Sequence, residues 1–144
     1  MKIVIVDDEP KIRNGLSKLL SSRPGFEIIG VFENAMEALE QLSVSYADVI
    51  ITDIKMPEIN GLDLINRIRE KDQNTKIIIL SGYSDFSFAQ RAIELGVTRY
   101  LTKPTNAREL IGILEEIEKN IQKPRSEEKQ EMKVTNLFVQ KAMD

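Results

Sequence analysis

Apolar residues fall into two alternating rhythms along the chain. Near-continuous β-branched runs occur at 2–6 (KIVIV), 49–52 (VIIT) and 77–80 (IIIL). A run with no polar interruption fits a strand covered on both faces, as in a parallel sheet. Two further runs, FEIIGVF at 26–32 and TRYL at 98–101, mix polar and apolar residues and fit edge strands. The segments between them have helical spacing. Ile12, Leu16, Leu19 and Leu20 share one face behind Pro10, a residue suited to a first helical turn. Ala35, Ala38, Leu39 and Leu42 form a second stripe, opened by Asn34 with Glu37 three residues on, which is capping-box spacing. Leu62, Ile65 and Ile68 follow Asn60, a good N-cap. Ala89, Ala92 and Ile93 follow Ser84-Asp85 and stop at Gly96. Leu110, Leu114, Ile117 and Ile121 follow Asn106, with Glu109 at the capping-box position.

This alternation predicts an α/β protein of (βα)5 type. Right-handed crossovers turn it into a doubly wound, five-stranded parallel sheet. The three most apolar strands belong in the middle, which gives the order 2-1-3-4-5. Pro124 ends the last helix, so the domain is expected to span 1–122. Residues 123–133 (KPRSEEKQEMK) are polar and charged like a linker, and VTNLFVQKAMD then regains apolar residues. Segment 123–144 reads either as a frayed tail or as the first turns of a connection to a second domain.

Composition narrows the chemistry more than the fold. The 144 residues are 42% hydrophobic and 30% charged, with a net charge of −3. That balance argues against direct nucleic-acid binding by this chain. Cys and His are both absent, which removes thiolate nucleophiles, thiolate and imidazole metal sites, Ser-His-Asp triads and phosphohistidine on this chain. Met1 leads straight into a strand, without a signal peptide and without an apolar run near ~18 residues. No membrane association is expected, and the cytoplasm is the expected location.

In an open α/β sheet, ligands bind beyond the carboxyl ends of the strands. The first strand ends at Asp7-Asp8-Glu9, the third at Asp53, the fourth at Ser81-Gly82 and the fifth at Thr102-Lys103-Pro104. Each has a plain alternative. Asp8 reads equally as a cap for the helix at Pro10, Asp7 and Glu9 as solvated acids, Ser81 and Thr102 as turn residues, and Lys103 as a surface lysine. Asp53 resists such a reading, because Asn60 is the better cap for the next helix. Together, several carboxylates facing one lysine and one hydroxyl at one sheet edge point to a site. Clustered carboxylates repel unless cations join them, and Lys103 supplies one charge. Mg²⁺ suits the remainder, since it binds one or two carboxylates and keeps waters for a phosphate. A carboxylate so placed can attack phosphorus and become an acyl phosphate, and Ser81 can donate a hydrogen bond to a phosphoryl oxygen.

The stretches IVIVDDEP, VIITDIKMPEINGLDLI and IIILSGYSDFSFAQRAIELGVTRYLTKP resemble the receiver domain of two-component response regulators, with its flavodoxin/CheY-like fold. The resemblance spans residues 2 to 121 with the motifs in family order. The SGYSDFSFAQRAIELGV segment further resembles receivers attached to AraC-type DNA-binding domains. The resemblance implies that Asp53 is the phospho-acceptor, with Lys103 and Ser81 completing the catalytic set. It implies Asp8 as a direct Mg²⁺ ligand beside Asp53 and the backbone carbonyl of Lys55, with Asp7 acting through water. Ser81 becomes the switch hydroxyl and Tyr100 the switch aromatic, and Lys103-Pro104 matches a bond that is cis in the family. The implied partners are a histidine kinase or phosphotransfer protein, and a homodimer mate through the fourth helix, fifth strand and fifth helix. DNA would be reached through an absent C-terminal domain. Tyr83 matches a position bordering the approach of water to the phosphoryl group. Asn60 stands where an acid is common, and Thr105 where an apolar residue is common.

Three other readings compete. A haloacid-dehalogenase-type phosphatase would want an acid two residues after its nucleophile, and Lys55 stands there. A flavodoxin-like FMN carrier would want a Ser/Thr/Gly-rich loop after the first strand, where this chain has Asp-Asp-Glu-Pro. A stand-alone receiver acting on a protein partner is an alternative within the leading class.

Overall fold

The computed structural model describes residues 1–82 and 86–121. The Ser84-Asp85 helix start, Tyr83 and the 123–144 segment lie outside the described residues. Along the chain run β1 (Lys2–Val6), α1 (Pro10–Ser21), β2 (Glu27–Phe32), α2 (Ala35–Leu42) and β3 (Val49–Thr52). They are followed by α3 (Gly61–Lys71), β4 (Lys76–Ser81), α4 (Phe86–Glu94) and β5 (Arg99–Thr102). A further helix, α5, covers 107–121. The chain divides into two units, Met1–Ala107 and Arg108–Asp144. The first holds the sheet with α1 to α4. In the second, Leu110, Leu114 and Ile117 are buried and recur at the helical spacing expected of them.

All five strands are parallel and ordered β2-β1-β3-β4-β5, as the apolarity of the strands predicted. Strand residues alternate between two buried faces. Val4, Val6, Ile50, Ile77 and Ile79 pack with Ala35 and Ala38 of α2, Leu64, Ile65 and Ile68 of α3, and Ala92 of α4. Ile3, Ile5, Ile51, Ile78 and Leu80 are buried on the other face, where α1 lies against β1 and β2. Each such aliphatic side chain contributes about 1.5–3 kcal/mol relative to exposure. The central strands therefore form a stiff base for whatever stands at their ends.

Caps and stripes mostly follow the pattern, with two departures. Asn34 Oδ1 accepts from Glu37 N at 2.9 Å, and Asn60 Oδ1 accepts from Asp63 N at 2.8 Å. The N-cap of α1, however, is Glu9 and not Asp8, and no side chain caps that helix. Pro10 at the first position already removes one orphan donor. In α4, Ile93 was expected inward with Ala89 and Ala92, but it is 78% exposed. Phe88, Ala92 and Leu95 supply the inward stripe instead, at i, i+4 and i+7. Ile93 lies well around the helix from that line.

Candidate functional site

Asp7 and Asp53 each stand one residue past a central strand but remain tied to the sheet. Asp7 N donates to Phe32 O at 3.0 Å, and Asp53 N donates to Val6 O at 3.0 Å. Both side chains are buried, and each carboxylate is bound at both oxygens. Asp7 Oδ1 accepts from Glu9 N at 2.9 Å, and Asp53 Oδ1 accepts from Ile54 N at 2.7 Å. Lys103 Nζ holds the other two oxygens, Asp7 Oδ2 at 2.8 Å and Asp53 Oδ2 at 3.0 Å. It also donates to Glu9 Oε1 at 3.1 Å.

Lys103 is held there by its backbone. Ser81 pairs with Thr102 at the end of the β4–β5 ladder, Lys103 N donates to Ser81 O at 2.7 Å, and the Lys103-Pro104 bond is cis as the resemblance implied. The loop after Asp53 is just as constrained. Gly61 N donates to Ile54 O at 2.7 Å. A Cβ at Gly61 would overlap the Asp53 carbonyl oxygen. Thr52 Oγ1 donates to that same oxygen at 2.9 Å. The glycine of the Asn60-Gly61 turn signal therefore serves close approach, while the left-handed conformation in this loop falls on Glu58, with φ 68°.

Electrostatics follow from burial. Desolvation pushes the Asp7 carboxyl up, more than the hydrogen bonds from Lys103 and Glu9 N pull it down. Burial would depress the Lys103 ammonium, but its bonds to Asp7, Asp53 and Glu9 outweigh burial and hold it above its ordinary range. Lys103 thus stays charged. Carboxylate oxygens of Asp7, Asp8, Glu9 and Asp53 all lie within 4.8 Å of one another. Against these four acids stand Lys103 and Arg13, whose guanidinium donates to Asp7 O at 2.8 Å. The cluster remains net negative, and its donors are all oxygens. Both properties fit a hard divalent ion.

Asp8 is exposed and opens onto a cleft of about 620 Å³ lined also by Glu33, Glu37, Glu40, Pro57 and Glu58. A cleft of about 670 Å³ beside Tyr46 and Arg67 contains none of the expected site residues. Ser81 is fully buried at the end of β4, and Tyr100 of β5 is half-buried against the core. Lys55 is exposed, with Nζ 5.6 Å from the Phe88 ring centroid. Glu9 is the strand-end acid to which the sequence assigned no role beyond a place in the carboxylate cluster. Its place between the acid pair and Pro10 was the available signal. That place makes it an N-cap whose unused side chain can turn toward the strand ends.

Comparison with known proteins gives a consistent result. Residues 3–115 match the family described as response regulator receiver domain. The uncharacterized transcriptional regulatory protein YesN of Bacillus subtilis (strain 168) is 37% identical over 117 residues, 81% of this chain and 32% of that protein. The REC domain of AraT, a response regulator from Geobacillus stearothermophilus, superposes with TM-score 0.75 at 34% identity, covering 86% of this chain and 97% of that one. A receiver domain protein (CheY-like) from Methanospirillum hungatei JF-1 gives TM-score 0.80 at 25% identity, covering 85% and 97%. This chain spans only 32% to 53% of the length of the first curated relatives it matches.

Proposed function

The chain belongs to the response regulator receiver domain family, and from that premise we propose that it is a signalling switch thrown by phosphorylation of Asp53. The supporting observation is the bridge from Lys103 Nζ to Asp53 and Asp7, which aims a permanently charged ammonium at the oxygen where phosphoryl charge would arrive. A histidine kinase or phosphotransfer protein supplies the group as phosphohistidine. An Asp53 carboxylate oxygen attacks phosphorus, the P–N bond breaks, and the imidazole leaves with the electron pair. The backbone fixes Asp53 in place, so its attacking oxygen needs no repositioning of its own. Asp8, Asp53 and the Lys55 carbonyl would hold Mg²⁺, with Asp7 acting through water. When bound, that ion supplies charge neutralisation among the carboxylates and phosphoryl oxygens.

Phosphorylation turns the single negative charge of the Asp53 carboxylate into about two, spread over phosphoryl oxygens at the sheet edge where buried Ser81 ends β4. The Ser81 hydroxyl turns to donate to a phosphoryl oxygen, Tyr100 moves inward, and the surface around α4 and β5 shifts to a second state that favours self-association. The relatives named as transcriptional regulators support transcription as the output. In that reading 1–122 is the receiver and 123–144 leads to a DNA-binding domain of AraC type in the cytoplasm. Among the described residues, no helix is long and apolar enough to cross a membrane.

Intact-mass analysis after incubation with acetyl phosphate and Mg²⁺ tests the acceptor. Wild type is expected to gain one phosphoryl group and Asp53→Asn none. Equal labelling of the Asn variant would refute the assignment.

A further inference from the structure

Lys103 has three N–H bonds, and all three are donated: to Asp7 at 2.8 Å, Asp53 at 3.0 Å and Glu9 at 3.1 Å. A phosphoryl oxygen arriving on Asp53 can gain a Lys103 hydrogen bond only by displacing one of these acceptors. They differ sharply in what displacement costs. The Asp7 side chain is 2% exposed, so leaving its oxygen unpaired would strand a buried charge. Asp53 carries the incoming group itself. The Glu9 side chain is 58% exposed, and its carboxylate rehydrates on release. The backbone of Glu9 does its structural work without the side chain. Its carbonyl accepts from Ile12 N and Arg13 N at 3.1 Å, its amide donates to Asp7, and its side chain makes no capping bond.

From this geometry, and resting on the receiver reading, we infer that Glu9 is a positioning residue that occupies the Lys103 donor reserved for the phosphoryl group and surrenders it on phosphorylation. Glu9 therefore acts as a brake. In the resting protein it holds the ammonium toward the mouth of the site and adds a negative charge to the path of an anionic donor. Releasing it is part of the barrier. In the phosphorylated protein a phosphoryl oxygen of the Asp53 acyl phosphate accepts the third N–H, and Glu9 stands in water.

The test uses the full chain at saturating Mg²⁺ with acetyl phosphate as donor. The Asp53 oxygen–phosphorus bond forms, the acetyl oxygen–phosphorus bond breaks, and acetate leaves with the electron pair. Glu9→Gln keeps the shape and a neutral acceptor but loses the charge. It is expected to be phosphorylated about threefold to fivefold faster, the scale of a half-exposed ion pair. Screening of such pairs by salt should narrow the gap at high ionic strength. Beryllofluoride, which mimics the phosphoryl group without transfer, should bind the Gln variant more tightly by a similar factor. Equal or slower phosphorylation of the Gln variant, or an unchanged beryllofluoride affinity, would overturn the inference. A wild-type chain labelled at Asp53 alongside a Glu9→Gln variant that is no faster sinks this inference alone. A wild-type chain that takes no phosphoryl group sinks the receiver reading beneath it.

Discussion

At Lys103 one ammonium donates to three carboxylates, those of Asp7, Asp53 and Glu9. Removing it would leave Asp7 and Asp53 buried without their cation, the expensive half of any buried ion pair. Lys103→Met is therefore expected to lower stability by about 2 kcal/mol at neutral pH. A shift of the urea midpoint at unchanged slope checks this, and a midpoint at or above that of wild type would contradict it. Gly61 is decided by sterics instead. A methyl group there meets the Asp53 carbonyl and the Ile54 backbone, and neither is a flexible side chain that can step aside. Gly61→Ala should cost about 3 kcal/mol, read as a fall in urea midpoint. Asp53 was legible from sequence because a bare acid ended a strand of Val and Ile residues. Glu9 was not, because its role depends on a lysine 94 positions away, a distance that only the folded sheet closes.

Between elements, the least expected tie is Arg69 of α3. Its guanidinium is buried and donates to Leu95 O at 2.8 Å and Gly96 O at 3.1 Å, at the end of α4, and to Asp72 O at 3.2 Å. One side chain thus satisfies carbonyls at the ends of two helices, where orphan acceptors accumulate. Arg69→Met would leave those acceptors dry, for an expected loss of about 2 kcal/mol in urea unfolding. In the sequence Arg69 looks like any cation in the last turn of a helix, so pattern alone could not show it reaching α4. The next residues build the turn into β4. Asp72 accepts from Asn74 N at 2.7 Å and from Thr75 N at 3.1 Å and Thr75 Oγ1 at 2.5 Å. Desolvation alone would raise its carboxyl, but these hydrogen bonds, with the nearby Arg69 charge, hold it below its ordinary value of 3.8. A depressed folded-state value means that Asp72 stabilises the fold above pH 3.8 and that this contribution fades as pH falls through the folded value. Asp72→Asn should cost about 1 kcal/mol near neutrality and progressively less in acid. Parallel pH profiles for the two proteins would rule that out.

For the molecule as a whole, a ligand that binds only the folded site must raise the melting temperature. Beryllofluoride with Mg²⁺, at a hundredfold excess over its Kd, should add about 2.7 kcal/mol, or roughly 10 °C. Asp53→Asn should show none of this rise, and an equal rise in both proteins would place the ligand elsewhere. Strand order and the gathering of Asp7, Asp53 and Lys103 were readable because buried parallel strands need unbroken apolar runs, and because the ends of the central strands meet. Ile93 was misread because helical period gives a stripe but not its centre, which Phe88 sets by its bulk. That outward isoleucine has a practical use. The chain contains no cysteine, so an Ile93→Cys thiol on α4 would be the sole attachment point for a fluorophore or spin label. A matching label through Val44→Cys, a position 81% exposed outside any helix or strand, would serve as the stationary reference. The pair turns α4 into a gauge whose reading can be followed, molecule by molecule, while the switch is thrown.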